Sequence, residues 1–502
     1  MTSERATGPE NPVIPGFHPD PSVCRVGSAY FLATSSFTYF PGVPIFRSTD
    51  LVSWTQIGNA LDRRSQLDLS ATRGWSSLGV YAPTLRHHAG RFWLITTTTS
   101  SSGKHSFFVT TEDPAGPWSE PVPVDIDDID PDIAWDDAGN CWVTYAGIKQ
   151  CRIDDTTGKI LEGPHPTWSG TGLQFPEAPH LFRRGDQWYL LIAEGGTERG
   201  HSVSIARGPS PQGPWEGCPA NPILSHRSTD RPVQNTGHAD MVEAPDGSWW
   251  MVLLGVRPRG LTPGFHMLGR ETFLTSVTWG DDGWPTVGPV ELNPASTPAG
   301  TTTSTETAGG RSLRDDFDAA ALHPSWITVR RPLDNELSLA RRPGWLTLIG
   351  TSATMDDPEP VFVGRRQQHH RCRARSLIDA DGCAEAGLSI RMDEYSHYEV
   401  AVQEDQILAR ARIGPLASVV AQAPKPDGPV ILGIDTETES ALGNPDEIVL
   451  GYEAAEGFVA LATLDGRYLS TEVASGFTGR VIGMYAHEGT AAFDWFSYEG
   501  LT

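Results

Sequence analysis

The stretch HPDPSVCRVGSAYFLATSS, residues 18–36, sets a pattern that four later stretches repeat. The repeats are YAPTLRHHAGRFWLITTT (81–98), IDPDIAWDDAGNCWVTYAG (129–147), PEAPHLFRRGDQWYLLIAEG (176–195) and GHADMVEAPDGSWWMVLLG (237–255). Each opens with a small or polar group, usually beside a proline, and continues through a short apolar strand. It then turns at a glycine-containing loop and enters an aromatic-rich strand. Loops of this kind join antiparallel neighbours.

The spacing of these repeats predicts the architecture. Their aromatic strands lead with Tyr30, Phe92, Trp142, Trp188 and Trp249. A second hairpin follows in most repeats. A period of roughly 45 to 65 residues with about four strands per unit is typical of a β-propeller blade. We therefore predict an all-β protein in which residues 11–293 form a five-bladed β-propeller.

A propeller brings the openings of its first strands together at one mouth of its channel. The residues at these openings are Asp20, Tyr81, Asp130, Glu177 and His238. Taken singly, each carboxylate is more often a turn residue, and the histidine is more often structural. Three carboxylates in register favour a functional cluster. A slip of one residue reverses a strand side chain, so the sequence leaves open which neighbours face the channel.

Three carboxylates around a pocket suit glycoside hydrolysis. One carboxylic acid protonates the leaving oxygen while a carboxylate serves the opposite face of the sugar. Nearby like charges raise the pKa of one member and keep it protonated near neutral pH. A non-catalytic sugar-binding propeller is the alternative, but it would not need three carboxylates in register.

Seven segments carry a resemblance to a known family. They are NPVIPGFHPDPSVCRVG (11–27), SSFTYFPGVPIFRSTDLVSW (35–54), YAPTLRHHAGRFW (81–93), PEAPHLF (176–182), LLIAEGGTERGH (190–201), GHADMVE (237–243) and LGRETFL (268–274). Together they resemble glycoside hydrolase family 43, specifically its β-xylosidase and α-L-arabinofuranosidase members. The resemblance implies a five-bladed propeller and inverting hydrolysis that needs no metal or other cofactor. It also implies release of xylose from short β-1,4-xylo-oligosaccharides, or of arabinose from arabinose-substituted oligosaccharides. A propeller fructosidase, which would use a retaining pair of carboxylates, is a further alternative.

The resemblance implies roles for individual residues. Asp20 of HPDPS corresponds to the general base, Glu177 of PEAPH to the general acid, and Asp130 of IDPD to the residue that tunes and orients Glu177. In the inverting geometry the base and acid carboxyls stand roughly 6.5 to 9.5 Å apart. The family often has serine two residues after the tuning aspartate. This chain has Asp132 there, so Asp132 is a rival for that role.

The resemblance also implies substrate-binding residues. Arg270 of LGRETF is expected to reach substrate hydroxyls or the carboxylates, and His238 is expected below the pocket floor. Tyr81 stands where many members have tryptophan, which keeps an apolar face for a sugar but adds a hydroxyl. Aromatic faces pack against sugar rings. Three aromatic residues of the first repeat are candidate platforms: Phe37, Tyr39 and Phe40. Phe37 is preferred by resemblance, with packing between blades as the alternative.

The composition changes beyond residue 293. A stretch rich in Pro, Thr, Ser and Gly predicts a linker over 294–312. Short alternating strands over 313–502 predict a jelly-roll, concanavalin-like β-sandwich, which resembles the C-terminal domain of family 43 β-xylosidases. We expect it to pack against the propeller, closing one side of the pocket or forming a dimer contact, with carbohydrate binding as the alternative. Acidic loop residues offer a structural Ca²⁺ site as an alternative to solvated turns. They are Asp315, Asp316 and Asp494.

Charge and composition restrict the partners. The 502 residues include 38 basic and 62 acidic ones, which gives a formal charge of −24. This balance argues against nucleic acid or an anionic membrane as partner. No apolar run approaches the length of a transmembrane helix, and the N-terminus does not resemble a secretory signal. The sequence predicts a cytoplasmic enzyme acting on short imported oligosaccharides, with homo-oligomerisation left open. The six cysteines show no metal-binding spacing and are expected to be reduced.

Overall fold

A computed structural model of the chain describes residues 10–72, 77–293, 312–437 and 443–501. Its regular structure is almost entirely β-sheet. Five small antiparallel sheets come first along the chain, and one large sheet system follows. The prediction of an all-β protein, with a five-bladed propeller before a β-sandwich, is confirmed. The predicted linker, 294–312, lies outside the described residues except for Ser312.

Each of the first five sheets is one propeller blade. The strands of the first two blades are β1 (Ser22–Val26), β2 (Ala29–Ala33), β4 (Gly42–Ser48), β5 (Thr55–Leu61), β6 (Gly79–Val80), β7 (Thr84–His88), β8 (Arg91–Ser100), β9 (Gly103–Thr111) and β10 (Val122–Val124). A further strand, β3 (Tyr39–Phe40), lies between β2 and β4 in the chain but belongs to neither blade. The third blade contains β11 (Asp132–Trp135), β12 (Cys141–Tyr145), β13 (Lys149–Ile153) and β14 (Ile160–Pro166). The last two contain β15 (Glu177–Arg184), β16 (Gln187–Glu194), β17 (Ser202–Gly208), β18 (Glu216–Gly217), β19 (Gln234–Glu243), β20 (Trp249–Val256), β21 (Glu271–Trp279) and β22 (Pro285–Val287).

Apolar side chains between neighbouring blades hold the ring together. The aromatic strands of the sequence repeats are the second strands of the blades, and they pack on both faces. Phe31 of β2 meets Phe92 of β8 edge-on, with ring centroids 4.8 Å apart. A core cluster that contains Leu32 of the first blade and Trp250 of the fifth closes the ring. Burial of such large side chains is the main favourable term in the stability of the fold.

The C-terminal domain is built around two long strands. Its strands are β23 (Ser312–Asp315), β24 (Ile327–Val329), β25 (Leu337–Ser338), β26 (Leu346–Gly350), β27 (Phe362–Arg366), β28 (Arg371–Asp393), β29 (Ser396–Gln403), β30 (Gln406–Ile413), β31 (Leu416–Pro424), β32 (Val430–Glu437), β33 (Glu447–Ala454), β34 (Gly457–Asp465) and β35 (Val481–Leu501). A 3₁₀ turn (Gly466–Leu469) and the short helix α1 (Thr471–Ala474) precede β35. The first part of β28 pairs with β32 and the second part with β29, so β28 joins two groups of strands. None of the helices in the described ranges is long and apolar enough to cross a membrane.

A strand from the propeller joins the sheet of the C-terminal domain. Tyr39 and Phe40 in β3 pair with Val329 and Thr328 in β24. Tyr39 belongs to a buried cluster shared by the two domains, and Phe40 packs in the core between the first two blades. Neither ring lines the pocket described below, so packing accounts for both of these candidate platforms.

The acidic loops of the C-terminal domain contact the chain itself. Asp315 accepts hydrogen bonds from the Phe317 amide at 3.0 Å and from Trp326 Nε1 at 2.8 Å. Asp316 pairs with Arg314 at 2.7 Å. The described part of the chain contains no group of three or more His, Cys, Asp or Glu side chains placed to hold a metal ion.

Candidate active site

A pocket of about 290 Å³ opens where the first strands of the five blades begin. Its lining contains seven of the residues proposed from the sequence: Asp20, Phe37, Tyr81, Asp130, Glu177, His238 and Arg270. The volume lies at the small end of the roughly 300–1,000 Å³ typical of ligand pockets. The structure therefore brings together residues that are up to 250 positions apart in the chain.

Irregular backbone at the strand openings directs these side chains into the pocket. Asp20, Asp130 and His238 have φ values of 56°, 55° and 45°, and Ala178, next to Glu177, has 51°. Left-handed φ is strained for residues other than glycine, costs about 1–3 kcal/mol each, and clusters at functional sites. The ladders of the fourth and fifth blades shift register in these regions. A bulge of this kind re-aims a side chain.

A second layer lies two or three residues further along the chain in each blade. Its members are Ser22, Thr84, Asp132, His180 and Asp240, one from each blade, and all five are buried. Arg86 extends among them. Its guanidinium donates to Asp132 and Asp240 at 2.8 Å each, to His180 Nδ1 at 2.9 Å and to Ser22 Oγ at 3.2 Å. Asp132 is therefore paired beneath the pocket, whereas Asp130 lines it.

Asp20 is buried among groups that favour its charged form. Ser35 Oγ donates to Asp20 Oδ2 at 2.5 Å, and Arg270 Nη1 donates to Oδ1 at 3.2 Å. His238 lines the pocket wall, with Nδ1 3.4 Å from the same Oδ1. Burial raises the pKa of Asp20, but these three partners outweigh it and lower the pKa below its usual range. Asp20 is thus ionised at neutral pH, while burial lowers the pKa of His238 to about 3 and keeps that ring neutral.

Glu177 and Asp130 are shifted in the other direction. Burial and the nearby charge of Asp20 raise the pKa of Glu177 to about 7. Burial, followed by the charges of Glu177 and Asp20, raises the pKa of Asp130 well above its usual range. Arg270 is the one lysine or arginine among the described residues that line the pocket. One cation does not balance the carboxylates of buried Asp20 and Asp130 and half-buried Glu177, so the Asp130 and Glu177 pair retains a proton near neutral pH.

Three aromatic rings form one wall of the pocket. Phe37 lies 5.7 Å from Tyr81 and 5.8 Å from Phe477, measured between ring centroids. The guanidinium of Arg270 lies 4.9 Å from the centre of the Phe477 ring and 5.5 Å from that of Phe37. The Tyr81 hydroxyl donates to the backbone oxygen of Ser77 at 2.6 Å. The extra hydroxyl of Tyr81 is thus engaged by the chain, and the ring supplies apolar surface.

Phe477 comes from the C-terminal domain, and sequence reasoning did not single it out. The segment that carries it docks on the loop before Arg270. Glu472 accepts a hydrogen bond from the His266 amide at 2.9 Å, and the Arg480 amide donates to Met267 O at 3.0 Å. A Cβ on Gly479 would lie 2.3 Å from Leu268 O, so only glycine permits this approach. The C-terminal domain therefore closes one side of the pocket.

Other lining residues were also missed. Thr197 Oγ1 accepts a hydrogen bond from Arg270 Nη1 at 2.9 Å and so fixes the arginine from the second side. Phe175 is 63% exposed, has a φ of 53° and lies at the pocket. Thr197 lies within the family-like segment LLIAEGGTERGH, and Phe175 directly precedes the segment PEAPH. Proximity to those motifs was the only signal that the sequence offered for either residue.

Comparison with protein families agrees with this geometry. Residues 9–285 match the model described as glycosyl hydrolases family 43. Residues 314–499 match the model described as the beta xylosidase C-terminal concanavalin A-like domain. The two matches correspond to the propeller and to the β-sandwich.

Individual proteins are similar over the whole chain. A non-reducing end α-L-arabinofuranosidase of Bacteroides ovatus is 39% identical over 98% of this chain and 94% of its own. Among solved structures, a family 43 protein of Bacillus licheniformis is 30% identical with a TM-score of 0.90, covering 98% of this chain and 99% of that one. A xylan β-1,4-xylosidase of Bacillus halodurans is 31% identical with a TM-score of 0.88 over the same shares. The chain therefore belongs to glycoside hydrolase family 43 and is a glycoside hydrolase.

Proposed function

We propose that this enzyme is an exo-acting, inverting β-xylosidase that releases xylose from the non-reducing ends of short β-1,4-xylo-oligosaccharides. The observation that carries the proposal is the division of pKa values within one pocket. Asp20 is held ionised, whereas Glu177 has a pKa of about 7. Two carboxyl groups in opposite protonation states are what acid and base catalysis of glycoside hydrolysis requires.

The proposal gives a role to each carboxyl group, and the geometry supports it. Asp20 removes a proton from water, and its negative charge is maintained by Arg270 and Ser35. Protonated Glu177 donates its proton to the leaving oxygen. Asp130 stays within the same buried pocket and raises the proton affinity of the pair by like-charge repulsion. It therefore acts as a positioning and tuning residue.

The closed inner end of the pocket supports exo action. Beneath it, Arg86 contacts the other four blades through Ser22, Asp132, His180 and Asp240. A polysaccharide chain cannot thread through a channel filled in this way. The terminal sugar would lie against Phe37, Tyr81 and Phe477, and exposed Phe175 would support the next sugar as an aromatic platform.

The alternative activity is that of an α-L-arabinofuranosidase. It is favoured by the Bacteroides ovatus relative, which is named for that activity, and by the 36% identical Butyrivibrio fibrisolvens protein, which is named a xylosidase/arabinosidase. The two sugars can overlay their hydroxyls and the scissile oxygen in one pocket. The same carboxyl groups would then serve both reactions.

The deciding experiment compares hydrolysis of 4-nitrophenyl β-D-xylopyranoside and 4-nitrophenyl α-L-arabinofuranoside. The Asp20→Ala protein serves as blank, and proton NMR identifies the anomer first released. A dominant xyloside rate with release of α-xylose supports the proposal, and a dominant arabinofuranoside rate selects the alternative. Release of β-xylose would indicate retention and refute the inverting mechanism.

A further inference from the structure

A second cavity, of about 140 Å³, lies between the first blade and the C-terminal domain. Its cationic groups are His18 from the propeller and His323, Arg365 and Arg366 from the C-terminal domain. The lining also includes two glutamines and two aromatic residues, and none of its described residues carries a carboxylate. A cavity with this composition is unexpected in a chain with a net charge of −24.

Arg366 is the most constrained of these groups. It is 6% exposed, and its guanidinium lies 4.4 Å from the centre of the Phe17 ring. Its Nε and Nη2 atoms are buried and have no hydrogen-bond partner among the described residues. A buried charge without a partner is strongly unfavourable unless another group compensates it. Two of the three guanidinium nitrogens of Arg366 therefore lack a hydrogen-bond partner among the described residues.

Arg365 and His323 also line this cavity. Arg365 stacks on Trp326, with its guanidinium carbon 5.3 Å from the ring centre. The His323 Nδ1 atom accepts a hydrogen bond from the Ser325 amide at 3.2 Å, so the neutral ring carries its proton on Nε2. Burial and Arg365 lower the pKa of His323, and burial and Arg366 lower the pKa of His18. The carboxylate of Asp315 opposes the shifts at His323 and Arg365, so the uncompensated charge of this cavity is that of Arg366.

We propose that this interdomain cavity is an anion site that binds a compact oxyanion, either phosphate or a small carboxylate. Guanidinium groups match the oxygen spacing of both through paired N–H donors. The volume corresponds to about five water molecules at roughly 30 Å³ each, which admits such an ion and excludes an oligosaccharide. The site is separate from the pocket that contains Asp20.

The bound anion would stabilise the segment around His18, which lies next to the active site. The His18 amide donates to Arg270 O at 3.0 Å, and Thr272 Oγ1 donates to His18 O at 2.5 Å. His18 also stands two residues before Asp20 in the chain. Occupancy would join the two domains at this segment, so the expected effect is stabilisation of the folded protein.

The test uses the full chain and two measurements, isothermal titration calorimetry and thermal unfolding. Sodium phosphate and sodium acetate are each compared with sodium chloride at equal ionic strength. Saturating anion should raise Tm by about 2–4 °C relative to chloride, and calorimetry should give one site per chain. The rise should disappear in Arg366→Met and in Arg365→Met. It should persist in Arg373→Met, whose side chain is half exposed on β28 of the same domain.

The outcomes separate the sources of the anion. A response to phosphate alone identifies phosphate, a response to acetate alone identifies a carboxylate, and either result supports the site. If Arg366→Met does not fold, the test relies on Arg365→Met, because the Arg365 side chain is less buried. Binding that competes with an aryl glycoside would place the anion in the catalytic pocket and overturn the proposal. No response beyond that to chloride, or a response kept by both variants, would also overturn it and leave a water-filled cavity.

Discussion

The pocket and the layer beneath it are built from residues two or three positions apart in the same blades, yet their carboxylates behave differently. In the lower layer Asp132 and Asp240 share Arg86. Burial raises the pKa of Asp240, but Arg86 outweighs it and keeps the pKa below its usual range. In the pocket three carboxylates lie near the single cation Arg270, which pairs with Asp20, and the pKa of the other two rises. The number of cations per carboxylate, rather than burial alone, separates a structural cluster from one that exchanges protons.

The sharpest test of this comparison is to neutralise one carboxylate in each layer. We expect Asp20→Asn to lower kcat by about 10⁴-fold, because water loses its base, while Tm changes little. The matched variant Asp132→Asn leaves Arg86 with one carboxylate fewer and should lower stability more than kcat. Steady-state kinetics and thermal unfolding on both proteins measure the contrast. An active Asp20→Asn enzyme would remove Asp20 as the base.

The second prediction concerns the acid. Glu177→Ala should lower turnover of xylobiose by about 10³-fold, because its leaving group must be protonated. An aryl xyloside with a good leaving group needs less protonation and should lose roughly 10-fold. The ratio of the two losses is the measurement. Equal losses on both substrates would contradict the assignment of Glu177.

The third prediction addresses the second layer, in which Arg86 pairs with Asp132 and Asp240. Arg86→Met leaves Asp132 and Asp240 buried without their cation, so we expect the free energy of unfolding to fall by about 3–5 kcal/mol. Arg183→Met is the control, because Arg183 pairs with exposed Asp137 and should cost about 1 kcal/mol or less. Guanidinium chloride unfolding measures both. A loss of activity in Arg86→Met without a loss of stability would show that the lower layer is not structural.

Much of this contrast was accessible from the sequence. The repeats predicted the blades and the convergence of five residues at one pocket, and the family resemblance added Phe37 and Arg270. The division into two layers was not accessible, because it depends on a left-handed residue at four of the five openings. The left-handed residue is Asp20, Asp130 or His238 in three blades. In the fourth blade it is Ala178, and Glu177 stands one residue earlier. Period-two alternation cannot locate such a bulge.

The contribution of the C-terminal domain was also beyond sequence reasoning. The fold of that domain followed from its short alternating strands, and closure of one side of the pocket was among its expected roles. The residue that performs this closure was not identified. Phe477 lies 207 positions after Arg270, and it reaches the pocket because Gly479 fits tightly against Leu268. Such a contact depends on tertiary packing and has no local pattern.

The fourth prediction is a pH dependence of kcat/KM. Glu177 must be protonated and has a pKa of about 7, so activity should fall about tenfold per pH unit above that value. Asp20 must be ionised, and its pKa is lowered, so activity should hold on the acid side down to about pH 4. A Glu177→Gln protein should lack the alkaline fall. An alkaline fall that persists in Glu177→Gln would assign it to another group.

The smallest expected effect concerns the burial that raises the pKa of Glu177. Phe477→Ala opens the pocket to water beside Arg270, so the alkaline midpoint should move down by about half a unit, since desolvation weakens. KM should rise by roughly tenfold through the lost ring contact. Tyr395→Ala, which removes a partly exposed ring of the same domain, should change neither quantity.

No hydrogen bond or ring contact among the described residues joins Phe477 to Arg86 or its partners. The stability effect of Arg86→Met should therefore be the same with and without Phe477→Ala. Coupling between the two changes would mean that the layers are one electrostatic unit and that the contrast drawn between them is wrong.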